Sequence, residues 1–273
     1  MKKLFNLVVV IAAASIFLTG CSKDDDSSTA TSGTFTSSGD VNATIDGLSS
    51  SGVDSLYFSL VTDINNDIFT VIGKTKVQNG AFSIKLDSIP NRYLFAIKES
   101  GLFDSDDLKL SKLTVSDPTA YTTEGEGLFI DAYKSGKYIG SLVKTNCTLA
   151  QYNTSDLKLL SKGLAVGYYV YCNKSVNIKG ASSETDTDDD GVAITYNYNY
   201  NVSFNKGWNQ LVMQITDISG SSATISMSAN TEPSGMKWLF VPSDNEDMKS
   251  IEVNSALKQS VWKSFITKKE DGK

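Results

Sequence analysis

Glu184 to Gly191 reads E-T-D-T-D-D-D-G, the densest run of potential metal ligands in the chain. Asp186, Asp188 and Asp190 followed by Gly191 match the opening of a calcium loop, where alternate carboxylates converge on one hard cation. The place of the closing bidentate glutamate is taken by Asn197, and no flanking helix is expected. A solvated hairpin loop is therefore the stronger reading of these acids, and calcium the sharper one. Glu124 and Glu126 have the composition of a glycosidase carboxylate pair. They sit in a polar Gly-rich loop without identifiable supporting residues, which again favours a solvated loop. The chain has no histidine. Ser-His and Cys-His catalysis are thereby excluded, and the commonest metal ligand is missing. A Ser-Lys arrangement stays formally open.

Cys147 and Cys172 lie near opposite ends of a hairpin-like pair of segments, 138–147 and 164–172. They can pair across strands or remain free buried thiols, because strand register is not legible from sequence. Tyr196, Tyr198 and Tyr200 have the types of a sugar-stacking platform, although such a stripe is more often core. Tyr169 and Tyr171, on the face opposite Tyr168 and Val170, are better candidates for an exposed ligand-stacking pair. Trp208, beside a turn, reads as a core or edge anchor.

These side chains must be positioned by strands. Val192 to Phe204 reads V-A-I-T-Y-N-Y-N-Y-N-V-S-F, apolar or aromatic at every second place. Period two makes one face of a strand greasy and the other small and polar. Shorter alternating runs flank it: 56–60, 69–77, 81–86, 108–115, 128–133, 138–144, 164–172, 208–215, 223–229 and 237–241. Turn signals separate them, among them Asn79-Gly80, which supplies the positive φ angles of a tight hairpin. The expected class is all-β, an antiparallel β-sandwich architecture in two sandwich domains, 41–117 and 118–245. Leu257, Val261 and Phe265 are spaced by four, which predicts a short C-terminal helix over 255–267 within a 246–273 tail. The Ser/Thr-rich, acidic 21–40 stretch has too little apolar content to offset chain entropy and reads as a flexible tether.

The stretch V-Q-N-G-A-F-S-I-K-L resembles the end of small transthyretin-like (Ig-like) sandwiches of exported bacterial proteins. Lys2 and Lys3 precede an apolar run to Leu18, the pattern of a secretory signal over 1–20. Leu18-Thr19-Gly20-Cys21 resembles a bacterial lipobox, which implies lipidation of Cys21 and membrane attachment through that lipid. Cys21-Ser22-Lys23 followed by three aspartates resembles the surface-export signal of Bacteroidetes lipoproteins, which implies an outer-membrane, surface-exposed address. Asp54-Ser55-Leu56 and Asp87-Ser88-Ile89 resemble the Asp-Ser/Thr-apolar sites of O-glycan attachment in the same bacteria. The order Y-Y-V-Y-C, V-N-I-K-G, acidic loop, long strand, G-W-N-Q-L, K-W-L-F-V resembles uncharacterised Bacteroidetes surface lipoproteins. No activity comes with that resemblance.

A net charge of −6 argues against a nucleic-acid partner. The expected function is a non-catalytic surface binding or adhesion module with a glycan or protein ligand and, calcium aside, no cofactor. A structural or assembly component of the envelope is the alternative, and a glycoside-active enzyme the remote one.

Overall fold

The structure, a computed structural model, describes residues 35–40, 52–63, 68–103, 112–125, 127–154, 156–187 and 192–243. The expected signal peptide, Cys21, the start expected at Val41 for the first sandwich domain and the helix expected over 255–267 lie outside these residues. The described chain is all-β. In order its strands are β1 (Phe35–Asp40), β2 (Ser55–Asp63), β3 (Ile68–Lys76), β4 (Ala81–Leu86), β5 (Phe95–Ala96), β6 (Leu113–Val115), β7 (Tyr121–Thr122) and β8 (Phe129–Lys134). They continue with β9 (Lys137–Thr145), β10 (Ala165–Cys172), β11 (Val176–Thr187), β12 (Ala193–Phe204), β13 (Gly207–Ser219), β14 (Ser222–Ala229) and β15 (Lys237–Pro242). One short helix, α1 (Leu149–Tyr152), carries a capping box. Gln151 N–H donates to Thr148 Oγ1 at 3.3 Å, and Thr148 N–H donates to Gln151 Oε1 at 2.9 Å.

One long sheet runs in the order β3-β2-β8-β9-β10-β13-β14-β12-β11-β6, with β15 added on β9. Ladders cross the boundary expected at 117/118, since β2 pairs with β8 and β6 with β11. Strand structure also begins earlier than expected. β1 pairs antiparallel with β4 from Phe35 onward, inside the stretch expected as tether.

Alternation along the shared strands explains how one sheet serves two cores. On β10, Val166, Val170 and Cys172 enter the first core, while Tyr171 enters the second and Tyr169 packs against it. On β15, Leu239 and Val241 feed the first, and Trp238 and Phe240 the second. On β13, Leu211, Met213 and Ile215 face the first, and Trp208 packs on the second. The two cores thus lie on opposite faces of these strands. Each fully buried large apolar side chain contributes roughly 1.5–3 kcal/mol, so strands buried on both faces anchor the sheet.

Two local readings meet corrections. Asn79 (φ 52°) and Gly80 (φ 77°) do form the tight turn, closed by reciprocal hydrogen bonds of Gln78 and Ala81. The strands beyond it do not form a hairpin ladder, because β3 pairs with β2 and β4 with β1. Nor is the sheet purely antiparallel. β14 slots between β12 and β13, parallel to β12 and antiparallel to β13.

The two-residue connection between β12 and β13, strands that β14 separates, is held by Asn209, a buried amide. Its Nδ2 donates to the carbonyls of Asn205 (2.8 Å) and Gly207 (2.9 Å), and its Oδ1 accepts from Asn205 N–H and Asn230 Nδ2. A buried amide satisfied on both ends fixes a loop well, since leaving either end unpaired would be costly.

Candidate functional site

β12 behaves as its alternation requires. Ile194, Tyr196, Tyr198, Tyr200, Val202 and Phe204 are buried, and the residues between them face outward. The tyrosines are core. Their hydroxyls reach polar groups on β11: Tyr198 donates to Glu184 Oε1 at 2.5 Å, and Tyr200 lies 3.3 Å from Ser182 Oγ. Large rings can therefore be buried without stranding their hydroxyls.

The opposite face of the same strands is an open polar surface. On β14, Ala223, Ile225 and Met227 point into the core, which turns Ser222, Thr224, Ser226 and Ser228 outward. The ladders align these with β12: Thr195 opposite Ser222, Asn197 opposite Thr224, Asn199 opposite Ser226, Asn201 opposite Ser228. β11 extends the grid with Ser183 opposite Asn197 and Thr185 opposite Thr195. β13 adds Gln214, opposite Ser226. Some of these groups bond within the grid: Asn197 Nδ2 donates to Ser222 Oγ at 3.0 Å, and the Thr185 and Thr195 hydroxyls are 3.2 Å apart. The side chains of Asn199, Asn201, Ser226 and Ser228 make no hydrogen bond to the described protein, and both asparagines are exposed. Charge appears only toward the margins, as Lys179 opposite Asn201 and Asp217 opposite Thr224.

The aromatic pair expected to be exposed is not. Tyr171 is buried, its ring edge-on to Trp208 at 5.4 Å, and its hydroxyl bonds to Ser88 and the Ile89 backbone. Tyr169 stacks on Trp238 at 5.9 Å, and burial pushes its phenol pKa up. The physical reason is the second core, which covers the very face of β10 that the sequence leaves looking free. Trp208 does act as an anchor, with its Nε1 donating to Asp87 O at 3.0 Å.

Of the two readings of the cysteines, the structure has the free thiols. Cys147 and Cys172 are both buried and free. Cys147 Sγ lies 4.0 Å from Ala165 O at one end of β10, whereas Cys172 closes the other end, 3.6 Å from Thr122 Oγ1. Seven residues of strand separate those ends by about 23 Å, far beyond disulfide reach. Burial pushes the Cys172 thiol up to about 12 and raises that of Cys147.

Asp186 lies near the end of β11, opposite Ile194, and its carboxylate accepts from Thr187 N–H at 2.8 Å. Asp188 and Asp190 lie outside the described residues, as does Glu126. Among the described residues no three acidic or cysteine side chains gather as a metal site. Of the glycan-attachment look-alikes, Ser55 bonds to Asp54 at 2.7 Å, and Ser88 is exposed.

One titratable group escaped the sequence reading. Asp131 on β8 is buried, and its carboxylate meets only the Ser141 hydroxyl, at 3.4 Å. Ser141 in turn lies 3.1 Å from Tyr138 OH. Desolvation pushes Asp131 up to about 7, the Ser141 hydrogen bond opposing it. Tyr133 and Tyr138 are raised mainly by their own burial, with the nearby Asp131 charge adding to it. The visible signal was an acid inside the apolar run Phe129-Ile130-Asp131-Ala132-Tyr133.

Compared with known proteins, the chain matches no family model, no curated protein and no solved structure.

Proposed function

We propose that the chain is a lipoprotein held in the outer membrane through Cys21 and exposed at the cell surface, where it works as a non-catalytic binding module. The address is supported by the Leu18 to Cys21 segment and the acids after it. Several acyl chains anchor stably where a single one binds marginally. The observation that carries the binding reading is the open polar face of β11, β12, β14 and β13. It offers unspent donors and acceptors on rigid, core-backed strands. The finer architecture we read as sandwich-like, because the β1–β4 pair supplies the residues Phe82, Ile84 and Leu86 that cover the second core.

Replacing Cys21 with Ala is expected to release the protein from membranes. A variant that stays bound through carbonate washing refutes the anchor. Protease shaving of intact cells is expected to remove the protein, and full protection refutes surface display. Incubation with polysaccharides is expected to create no new reducing ends, and their appearance refutes the non-catalytic reading. A second reading, an assembly component of the envelope, is favoured by Ile68 and Val71, which are about half exposed on the outer strand β3.

A further inference from the structure

We propose that the open face of β11, β12, β14 and β13 binds a neutral, extended polysaccharide chain lying across the strands, a site that rests on the binding-module reading above. The face selects its ligand first by charge. Its central positions, Asn197, Asn199 and Asn201 on β12 and Thr224, Ser226 and Ser228 on β14, are all uncharged. Lys179 and Asp217 stand singly toward opposite margins. An anionic polymer needs a cluster of cations, and a cationic one a cluster of acids. Neither is on this face among the described residues.

Size and polarity then argue against a protein partner. A stable protein interface takes about 800 Å² from each side and centres on apolar or aromatic anchors. Four strands span about 14 Å and residues 195–201 about 20 Å, so the grid offers about 300 Å². The large apolar residues of β12 and β14 are turned into the core. Hydroxyl and amide groups both donate and accept, which suits a ligand whose own groups are hydroxyls.

Spacing gives the direction. Neighbouring strands lie about 4.8 Å apart, close to the length of one pyranose unit in an extended chain. A polysaccharide crossing the strands meets polar side chains on three of the four where it passes Asn199, Ser226 and Gln214, and on all four where it passes Ser183, Asn197, Thr224 and Asp217. Among the described residues of this face no aromatic platform concentrates affinity at a single sugar, so binding builds with the number of strands crossed. Polymers are held and single sugars are not.

The test uses the full-length chain in detergent, co-sedimented with insoluble β-glucan, xylan, mannan and chitin, and in parallel with polygalacturonate and heparin beads. At least one neutral polymer is expected to retain the protein. The double variant Asn199→Ala/Ser226→Ala is expected to bind it at least tenfold more weakly with an unchanged melting temperature. Should that variant melt early, Asn201→Ala on the same face takes its place. Monosaccharides are expected not to compete. Equal retention of a stable variant overturns this site, and so does effective competition by a monosaccharide. Retention on anionic beads alone overturns the ligand class while leaving the binding module standing. Silence on every matrix overturns the inference. The binding module then stands or falls on a separate assay, retention of the same protein by detergent-solubilised outer-membrane proteins.

Discussion

Replacing Asp131 with Asn is expected to stabilise the protein, and only above about pH 4. The carboxyl titrates at 3.8 when free and near 7 in the fold. Between those values the native state binds one proton more than the unfolded state, so stability falls as pH rises through the window. Each tenfold costs about 1.36 kcal/mol, and the full loss above pH 7 is about 4 kcal/mol as a ceiling. The groups that interact with Asp131 leave this window to Asp131 alone. Tyr133 and Tyr138 are raised well out of it, and Ser141 does not ionise.

An asparagine keeps an acceptor for the Ser141 hydroxyl and carries no charge at any pH. Side-chain relaxation lowers the ceiling, so D131N is expected to exceed the wild type by about 2–4 kcal/mol at pH 8 and by about zero near pH 4. Urea unfolding at both pH values reads this directly. With a slope of about 3 kcal/mol/M the midpoint rises by about 1 M at pH 8. Taking the difference between the two proteins cancels the other carboxylates. Those include Asp54 and Asp117, which hydrogen bonds from the Ser135 backbone and the Thr119 side chain, respectively, hold low. A gain equal at both pH values, or a loss at pH 8, refutes the reasoning.

Two further outcomes are expected. Tyr198→Asn removes a buried ring that stacks on Tyr196 and lies tilted against Tyr200, at 6.5 Å from each, and should cost about 3–5 kcal/mol, whereas Asn199→Thr, facing outward, should cost about 1 kcal/mol or less. Chemical denaturation distinguishes them, and equal losses would break the period-two assignment. Cys147 and Cys172 should react with a thiol reagent only after unfolding, and the melt should not move with reductant; a reductant-sensitive melt would reinstate a disulfide.

The sequence made legible what strand alternation alone decides. β12 and β14 each have one buried and one open face, so their apolar and polar residues alternate and their orientation could be read directly. β10 and β15 are buried on both faces, and there the pattern carries no instruction about which core receives which residue. Tyr169 and Tyr171 looked exposed for that reason. The parallel β12–β14 ladder was hidden because pairing depends on register and order, which no local window contains. Asn209 was hidden as well, since its amide works through Asn205, Gly207 and the distant Asn230. The turn chemistry at Asn79-Gly80 was sound, and the error lay in assuming that a tight turn must join paired strands.

The open face was equally legible in composition, yet its significance depends on the neighbour that β12 acquires. Alone, the asparagines of β12 are only the polar half of an amphipathic strand. With β14 parallel beside it, the outward serines and threonine of β14 fall in register with them, and the polar half becomes a two-dimensional grid. Solubility does not require such a grid to be uncharged. Ordinary surfaces mix both signs of charge, and charged side chains also discourage sheets from associating. The chain carries 56 charged residues by type, 25 basic and 31 acidic, and keeps them off the centre of this face. Charge is withheld where β12 and β14 are backed by buried residues, Tyr196, Tyr198, Tyr200, Ile225 and Met227. That is the arrangement a neutral ligand needs, because a fixed charge there would hold water that the ligand must displace.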